Sequence, residues 1–266
     1  RLVGSEMCIR DRDIFRPEDD MVLEYVDDDG KLVEPRYYAP ILPMILVNGS
    51  KGIGTGFSTD IPCYNKDDLI CYLMNKLEDK ANTNDLAPYY EGFKGTITEI
   101  KGEKNKWLVK GVYEKDLKKQ KIMIKELPIG IWTTKYKEYL EKLIHDKKII
   151  KDVQDMSTDK IVDITLTFHK GQLDSLLKCK GDYGCDKLEK ILKLYTTLST
   201  NNMNLFTADD KLKHYDDIYE IIDDYYKVRL DLFDKRKQYQ IQSLTKLSNI
   251  CNNKVRYINE LSLIHI

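Results

Sequence analysis

The sequence predicts an α+β protein in which short strands and helices are followed by one long C-terminal helix. A chain of 266 residues exceeds the usual size of one domain, so we expect two or more structural units. Short segments rich in β-branched residues alternate with helical patterns between residues 14 and 206. From Tyr215 to Glu260 the chain contains no proline or glycine, and its apolar residues recur at helical spacing.

The composition excludes several classes of protein. The net charge is only −1 although 33% of the residues are charged, so any nucleic-acid binding must come from local patches. Aromatic residues make up 10% of the chain, which is ample core material and argues against disorder. No apolar run approaches the roughly 20 residues that span a bilayer. The six cysteines form no CxxC pair and do not cluster with the histidines, which favours reduced thiols over a zinc site.

Both ends of the chain resemble peptides translated from sequencing-adapter DNA. The segments concerned are residues 1–13 and residues 261–266. We therefore expect the genuine coding sequence to run from about Asp13 to about Glu260, and we leave both ends out of the fold predictions.

Near the start, the acidic run Asp27–Gly30 separates the apolar segments Met21–Val26 and Leu32–Val33. An Asp-Gly pair between such segments predicts a hairpin turn, and the alternating ligand spacing of a calcium loop is missing. Prolines at 35, 40 and 43 should keep the next segment extended, because proline disfavours helix at and before its own position.

The chain is organised around a strand-like apolar run that ends at Val47, followed by a loop with glycines at 49, 52, 54 and 56. Asn48-Gly49 predicts a turn, and the later glycines let the backbone approach an outside molecule closely. Ile53 stands alone between two glycines, two positions after Lys51. This arrangement suits an apolar wedge aimed at a polyanion; the alternative is an ordinary core isoleucine in a tight turn.

The remaining elements are predicted from periodicity and from turn and cap signals. Asn65 should cap a helix over about Asp67–Leu77, and residues 82–88 look like a linker. We expect strands or extended segments at Gly95–Ile100, Lys106–Gly111, Lys121–Glu126, Lys151–Asp155, Ile161–Phe168 and Lys193–Phe206. We expect helices at Lys135–His145, Gln172–Lys178 and Cys185–Leu192, a hairpin tip at Lys115–Lys119 and a turn at Asp209–Asp210.

The C-terminal helix over about Tyr215–Glu260 would be roughly 65–70 Å long at 1.5 Å per residue. That length exceeds the needs of a globular domain and favours a coiled-coil arm. The alternative is a helix broken in two and folded back on itself.

Five segments in a fixed order connect this chain to a known family. They are Glu34–Gly56, Phe93–Ile97, Glu126–Thr133, Asn202–Phe206, and Arg229-Leu230 with Lys235-Arg236-Lys237. Together they resemble type IIA DNA topoisomerases of the eukaryotic and viral kind, over essentially all of residues 14–260. The resemblance is imperfect beside the predicted wedge: Lys51 replaces an acid common in cellular members, and Phe57 stands where tryptophan is usual.

The resemblance implies an α+β architecture of three parts. Residues 14–92 would be the later part of the winged-helix region of the DNA breakage–reunion core. Residues 93–214 would be the tower domain that flanks the DNA. Residues 215–260 would begin the coiled-coil arm that leads to the exit gate of a homodimer.

The resemblance also implies the activity of the parent protein, which would be an ATP-dependent DNA topoisomerase. It would cleave both strands of one DNA duplex, pass a second duplex through and reseal the first. The family tyrosine that links to DNA would fall at Leu2, so we expect this fragment to lack it and to be inactive alone. Mg²⁺ and ATP would be bound by other domains of the parent, and the location would be the nucleus or a viral replication site. The alternatives are a non-enzymatic architectural DNA-bending protein and a coiled-coil adaptor without a DNA role.

The resemblance implies two DNA-contacting elements. Ile53 matches the family isoleucine that inserts between base pairs and bends the duplex, and Lys51 and Thr55 lie beside it. A tower segment would contact the backbone through Lys193, Leu194, Tyr195, Thr196, Thr197, Leu198, Ser199, Thr200, Asn201 and Asn202. The alternative for this segment is a solvent-facing edge strand. Lys94, Lys135 and Lys137 could extend the basic track, and a solvated face is an equal interpretation.

Overall fold

The computed structural model describes residues 12–81, 85–145, 149–158, 160–169 and 171–264. Most of the adapter-like ends, the predicted tyrosine position at Leu2 and part of the linker lie outside these residues. The chain divides into two compact units: one runs to Ile45 and resumes at Met203, and the other is Leu46–Asn202. These divisions differ from the boundaries at residues 92 and 214 implied by the resemblance, which remain predictions about family domains.

The secondary structure is mixed, as predicted for an α+β protein. The strands are β1 (Tyr25–Asp28), β2 (Lys31–Pro35), β3 (Ser50–Ile53), β4 (Ser58–Ile61), β5 (Thr96–Glu99), β6 (Lys106–Lys110), β7 (Val112–Asp116), β8 (Lys121–Glu126), β9 (Ile150–Asp155), β10 (Ile164–Phe168), β11 (Tyr195–Ser199), β12 (Met203–Phe206) and β13 (Leu212–Tyr215). The helices are α1 (Met44–Asn48), α2 (Lys66–Leu77), α3 (Thr133–His145), α4 (Gln172–Lys178), α5 (Lys187–Ile191) and α6 (Ile218–Ile264), with 3₁₀ turns at Pro17–Asp19 and Asp182–Gly184.

Two antiparallel sheets form the framework of the unit Leu46–Asn202. One has the strand order β7-β8-β10-β9 and the other the order β11-β6-β5. On β10 the predicted alternation is confirmed, because Ile164, Leu166 and Phe168 are buried while the threonines between them are half-buried. The buried face packs against apolar side chains of α3, including Leu140 and Leu143, in the main core.

Several local predictions from turn and cap chemistry are confirmed. Asp29 and Gly30 have positive φ and join β1 to β2, as expected for the Asp-Gly hairpin turn. The side chain of Asn65 accepts a hydrogen bond of 3.0 Å from the amide of Asp67 and caps α2. The hairpin tip near Leu117 and the turn at Asp210 also form, whereas β7 and β13 were not predicted.

The strand predicted immediately before Asn48 is wrong, because Met44–Asn48 forms the short helix α1. Pro43 immediately precedes it and, lacking a backbone N–H, could not donate to a strand ladder. Leu46 is completely buried, and its carbonyl accepts a 2.7 Å hydrogen bond from the amide of Tyr64. Tertiary packing therefore overrides the strand preference of this apolar run.

Helix α6 is one continuous helix of 47 residues, so the alternative of a broken, folded-back helix is wrong. Its first part is packed, since Ile218, Ile222 and Leu232 are buried. Its later part exposes an apolar stripe that includes Leu244 and Ile258. Whether this stripe forms a coiled coil remains a prediction.

A buried ion pair anchors α6 to the N-terminal residues of its own unit. One guanidinium nitrogen of Arg229 lies 2.7 Å from a carboxylate oxygen of Asp19, and Arg236 lies 3.1 Å from the other oxygen. The ring of Phe233 contacts both guanidinium groups, whose Cζ atoms lie 4.3 Å (Arg229) and 4.8 Å (Arg236) from the ring centroid. Since removing one partner of a buried pair leaves an uncompensated charge, we expect this contact to hold the packed first part of α6 in place.

Among the described residues, no helix combines the length and the hydropathy needed to cross a membrane. Nor does this part of the chain bring together three or more His, Cys, Asp or Glu side chains in a way that could hold a metal ion.

Candidate nucleic-acid interface

The segment predicted as a loop with four glycines is largely a β-hairpin, which corrects that prediction. Strands β3 and β4 pair antiparallel, with Ile53 directly opposite Ser58. The amide of Gly54 donates a 2.8 Å hydrogen bond to the carbonyl of Phe57, and Gly56 has a φ of +91°. The turn is therefore confined to the four residues from Gly54 to Phe57, and Ile53 lies at the end of a regular strand.

Ile53 is 90% exposed at this hairpin tip, so the alternative of a core isoleucine is wrong. Phe57, on the other side of the turn, is also exposed. Burying an isoleucine side chain is worth about 1.5–3 kcal/mol, which this conformation forgoes. The hairpin thus presents apolar surface on an element made of otherwise small and polar residues.

The base of the hairpin is held tightly. Gly49 has a φ of +66°, and a Cβ added there would lie 2.8 Å from the carbonyl oxygen of Ile61 and 2.9 Å from Cys63 Sγ. The Cys63 thiol donates to the carbonyl of Asn48 at 3.1 Å, and burial raises its pKa, which keeps it protonated as a donor. A side chain at position 49 would therefore collide with Ile61 and Cys63, so the base of the hairpin requires glycine.

Lys51 lies on the hairpin beside the wedge, but it already has a partner. Its Nζ is 2.7 Å from a carboxylate oxygen of Asp60, the residue directly opposite on β4. The lysine side chain is still largely exposed. To contact a DNA phosphate, Lys51 would therefore have to leave Asp60 or bind both groups at once. Thr55 is exposed in the turn.

The predicted tower segment forms strand β11 at the edge of its sheet, hydrogen-bonded to β6. Thr197 and Ser199 are exposed on it. Leu194 is only 1% exposed and Thr200 only 5%, so neither side chain can reach a duplex in this conformation. Both were predicted to contact DNA because the family resemblance implied contacts along the whole segment. Successive side chains of a strand point to opposite faces, so they cannot all face the same duplex.

Other side chains of the same segment make contacts within the protein. Lys193 lies with its Nζ 4.0 Å from the ring centroid of Tyr139. The hydroxyl of Thr196 donates to the carbonyl of Ile129 at 3.3 Å and holds the loop before α3 against β11. These contacts leave the exposed hydroxyls of Thr197 and Ser199 as the groups best placed to face outward.

Asn202 connects the segment to the hairpin. Its carbonyl accepts a 2.8 Å hydrogen bond from the amide of Asp60, and its side-chain amide donates to the hydroxyl of Ser58 at 2.8 Å. Asn202 therefore links β4 to the end of β11, a role that its prediction as a DNA contact did not include.

A cleft of about 980 Å³ lies between the hairpin, the loop before α3 and β11. It brings together the predicted residues Lys51, Thr196, Thr197, Leu198, Ser199 and Asn202, whereas Ile53 and Thr55 are not part of its wall. Its ionisable lining includes Lys51 but also Asp60 and Glu126, so it is not a basic channel. Burial raises the pKa of Tyr90, another lining residue, to about 12, which keeps its hydroxyl neutral.

The three lysines proposed to extend the track do not line this cleft. Lys137 forms an ion pair with Asp155, and this contact lowers the pKa of that carboxyl to about 2. Lys94 and Lys135 are exposed, which fits both an extension of the basic track and an ordinary solvated face.

Trp132 is a cleft residue that sequence reasoning did not single out as functional. This tryptophan lines the cleft and is 73% exposed. In the sequence it belongs to the Glu126–Thr133 segment that carries the resemblance. Its place in that segment was the available signal, but the exposure of a side chain cannot be read from a sequence pattern.

Comparison with known proteins identifies the class. A family model that describes the A subunits of DNA gyrase and topoisomerase IV matches residues 5–265. The chain is similar to a solved structure of the Plasmodium falciparum topoisomerase II DNA-binding, cleavage and re-ligation domain, with a TM-score of 0.82 and 36% identity. That match covers 96% of this chain and 34% of the other. The chain therefore belongs to the DNA gyrase/topoisomerase IV family.

Relatives of the chain within that family include DNA topoisomerase 2 proteins, in agreement with the resemblance seen in the sequence. The protein from Pisum sativum is 36% identical over 263 residues, which is 97% of this chain and 17% of the relative. The mitochondrial protein from Dictyostelium discoideum is 39% identical over 233 residues, which is 88% of this chain and 17% of the relative. The chain thus spans about a sixth of the length of these relatives.

Proposed function

We propose that this chain is the part of a type II DNA topoisomerase that binds and bends the duplex to be cleaved. The observation that carries the proposal is Ile53, which is 90% exposed at the tip of a hairpin. An apolar side chain inserted between base pairs unstacks them at a cost of a few kcal/mol per step. That cost is offset because a bent duplex contacts more protein surface.

The hairpin has the features that such a wedge requires. Gly52, Gly54 and Gly56 carry no side chains that would keep the backbone away from DNA, and a Cβ added at Gly52 or Gly56 would meet nothing within 4 Å. The packing around Gly49 gives the tip a fixed support. On insertion, the DNA would therefore deform while the hairpin keeps its position.

The hydroxyl groups near the wedge suit backbone contacts. Thr55, Thr197 and Ser199 are exposed and carry no charge. Hydrogen bonds from such groups to phosphate and sugar fix the position of a duplex without reading its sequence. The site would accordingly bend DNA with little base preference, as strand passage on varied sequences demands.

We further propose the role of this chain in its parent protein. Residues 14–92 would belong to the winged-helix region, residues 93–214 to the tower and residues 215–260 to the coiled-coil arm of a homodimer. The parent would break and rejoin both strands of a duplex, with Mg²⁺ and ATP bound by its other domains. With the family tyrosine position falling at Leu2, the fragment would not cleave DNA alone. Its location would be the nucleus or a viral replication site. The relatives named above are topoisomerases, so we do not favour the architectural alternative.

DNA bending measured by fluorescence energy transfer across an end-labelled duplex of about 30 base pairs tests the proposal. We expect the chain to raise transfer efficiency, and Ile53→Ala to remove at least half of that rise. Ile161→Ala is the matched control, because Ile161 is another exposed isoleucine of the same unit. Bending that is absent with the wild type, or equally reduced by both substitutions, would contradict the wedge.

A further inference from the structure

One face of helix α6 carries two arginines that share a single carboxylate. Arg229 and Arg236 are almost two helical turns apart, so their side chains lie on the same side of the helix. They donate to different oxygens of Asp19, at 2.7 and 3.1 Å. Arg229 and Asp19 are nearly fully buried, so solvent screens their charges poorly. In this contact, one carboxylate therefore balances only one of two guanidinium charges.

Arg229 also carries hydrogen-bond donors that the described residues do not satisfy. Its Nη1 donates to Asp19 and, at 3.1 Å, to the carbonyl of Ala39. Its Nε and Nη2 are buried and have no hydrogen-bond partner in the part of the chain that the structure describes. The ring of Phe233 contacts this guanidinium group, but a π face is a weak acceptor and does not replace an oxygen. Since buried donors without partners are costly, an acceptor from outside these residues would stabilise the site.

A cleft of about 360 Å³ lies beside this contact, within the same compact unit. Its wall includes Arg229 and Arg236, the exposed Arg16, and Gln240, which lies about one turn beyond Arg236 on α6. Among the described residues that form the wall, the one carboxylate is that of Glu18, which is exposed. Guanidinium groups bind phosphate through paired, charge-assisted hydrogen bonds. The excess of cationic donors therefore favours an oxyanion over a cation or a neutral molecule.

We infer that this cleft binds a small oxyanion of the phosphate type. Arg16 and Arg236 would hold the anion at the wall, and a rotation of the partly exposed Phe233 ring would admit it to the free donors of Arg229. The anion would supply the second negative charge of the cluster and so strengthen the anchored start of α6. All residues of the cleft belong to the unit that does not carry the hairpin, so the inference does not rest on the proposed function.

Isothermal titration calorimetry of the full chain with inorganic phosphate, at constant ionic strength, tests the inference. We expect saturable binding of one phosphate per chain. Arg16→Gln should weaken that binding about 5- to 20-fold, because it removes one charge-assisted hydrogen bond at an exposed position. Arg256→Gln removes the same charge from an exposed position further along α6 and should bind normally. Absence of saturable binding by the wild type, or equal weakening by both substitutions, would overturn the inference.

A gain of affinity supplies the second arm of the experiment. Glu18→Gln should tighten phosphate binding about two- to tenfold, because the carboxylate of the cleft wall no longer repels the anion. Glu260→Gln, at an exposed position near the end of α6, changes the net charge equally and should leave the affinity unchanged. An unchanged affinity in Glu18→Gln would show that phosphate binds elsewhere, and the inference would fail.

Free phosphate and the phosphates of DNA share the same chemistry, and competition distinguishes the two sources. Phosphate titrations are repeated with the chain saturated by a duplex of about 30 base pairs. We expect unchanged phosphate affinity, because the small cleft is proposed to take a free ion. Displacement of phosphate by the duplex would assign the site to DNA and overturn the inference. Circular dichroism of each variant separates lost binding from a lost fold.

Discussion

At the scale of single residues, the hairpin combines an exposed apolar side chain at its tip with a lysine that already forms an ion pair. Ile53 has no comparable neighbour on β3, while Lys51 forms its ion pair with Asp60 across the hairpin. Exposed ion pairs of this kind are worth about 0.2–1 kcal/mol, so a phosphate can compete for the lysine. Asp60 would thereby moderate the affinity for DNA without blocking it.

This competition predicts that Asp60→Asn strengthens DNA binding by about two- to fivefold at low salt, because Lys51 becomes available to phosphate. The salt dependence should also steepen, since one more counterion is released on binding. Anisotropy titrations at several salt concentrations measure both effects. Asp152→Asn removes an exposed carboxylate of the same unit and serves as the control. An equal gain from Asp152→Asn would indicate a general charge effect and not the release of Lys51.

At the scale of secondary-structure elements, the hairpin and β11 act as one support because Asn202 joins them. The joint consists of a backbone hydrogen bond to Asp60 and a side-chain hydrogen bond to Ser58, both 2.8 Å long. At the same, C-terminal end of β11, the amide of Thr200 donates to the carbonyl of Asn105 at 2.9 Å. These contacts fix β11 relative to the hairpin, and so would set the spacing between the proposed wedge and the strand proposed to face the DNA backbone.

Removal of the side-chain link should therefore reduce bending more than affinity. We expect Asn202→Ala and Ser58→Ala each to lower the energy-transfer change on binding, and the double variant to be no worse than either single one. Such non-additivity is the signature of one shared contact. Gln154→Ala, at an exposed position on β9 of the same unit, should behave as wild type. Additive losses in the double variant would show that the two side chains act separately.

A second link joins α3 to β9 and makes a prediction about pH. The hydrogen bond from Lys137 lowers the pKa of Asp155 to about 2 from the ordinary 3.8, with help from Ser157. A carboxyl with a depressed folded-state pKa adds stability above its unfolded pKa and loses it as pH falls through the folded value. This stabilisation is thus complete above pH 4 or so and disappears towards pH 2.

Lys137→Met should raise the pKa of Asp155 towards 3.8 and flatten the loss of stability in that acidic window. Carbon NMR of the carboxyl group during a pH titration measures the first effect, and urea unfolding at several pH values measures the second. Lys135→Met, on the same helix but without this partner, is the control. A pKa of Asp155 that stays near 2 in Lys137→Met would contradict the assignment of its cause.

Sequence patterns predicted those elements whose local chemistry decides the structure. The alternation on β10, the Asn65 cap and the Asp29-Gly30 turn follow from periodicity and backbone preference alone. Helix α1 was missed because the burial of Leu46, which overrides strand preference, depends on residues distant in sequence. Likewise, the burial of Leu194 was missed because the resemblance implied DNA contacts along the whole segment, without regard to the alternation of side chains.

At the scale of the whole molecule, the two compact units carry different features. The unit Leu46–Asn202 carries the hairpin, β11 and the cleft, so it holds the complete candidate interface. The other unit carries α6, whose buried start is clamped by Asp19 and Arg229 and whose later part exposes an apolar stripe. The family resemblance supplied the proposed role of Ile53, whereas only the structure shows that Asp60 pairs with Lys51 and that Asn202 joins β4 to the end of β11.

The most direct test of the proposed wedge is the DNA bend produced by a graded series at position 53. Energy transfer across a labelled duplex should rise with wild type and with Ile53→Leu, because both side chains have similar apolar volume. It should fall with Ile53→Ala and stay lowest with Ile53→Ser, while protein stability remains unchanged since the residue is 90% exposed. A bend that is the same across the series would show that Ile53 is not the wedge.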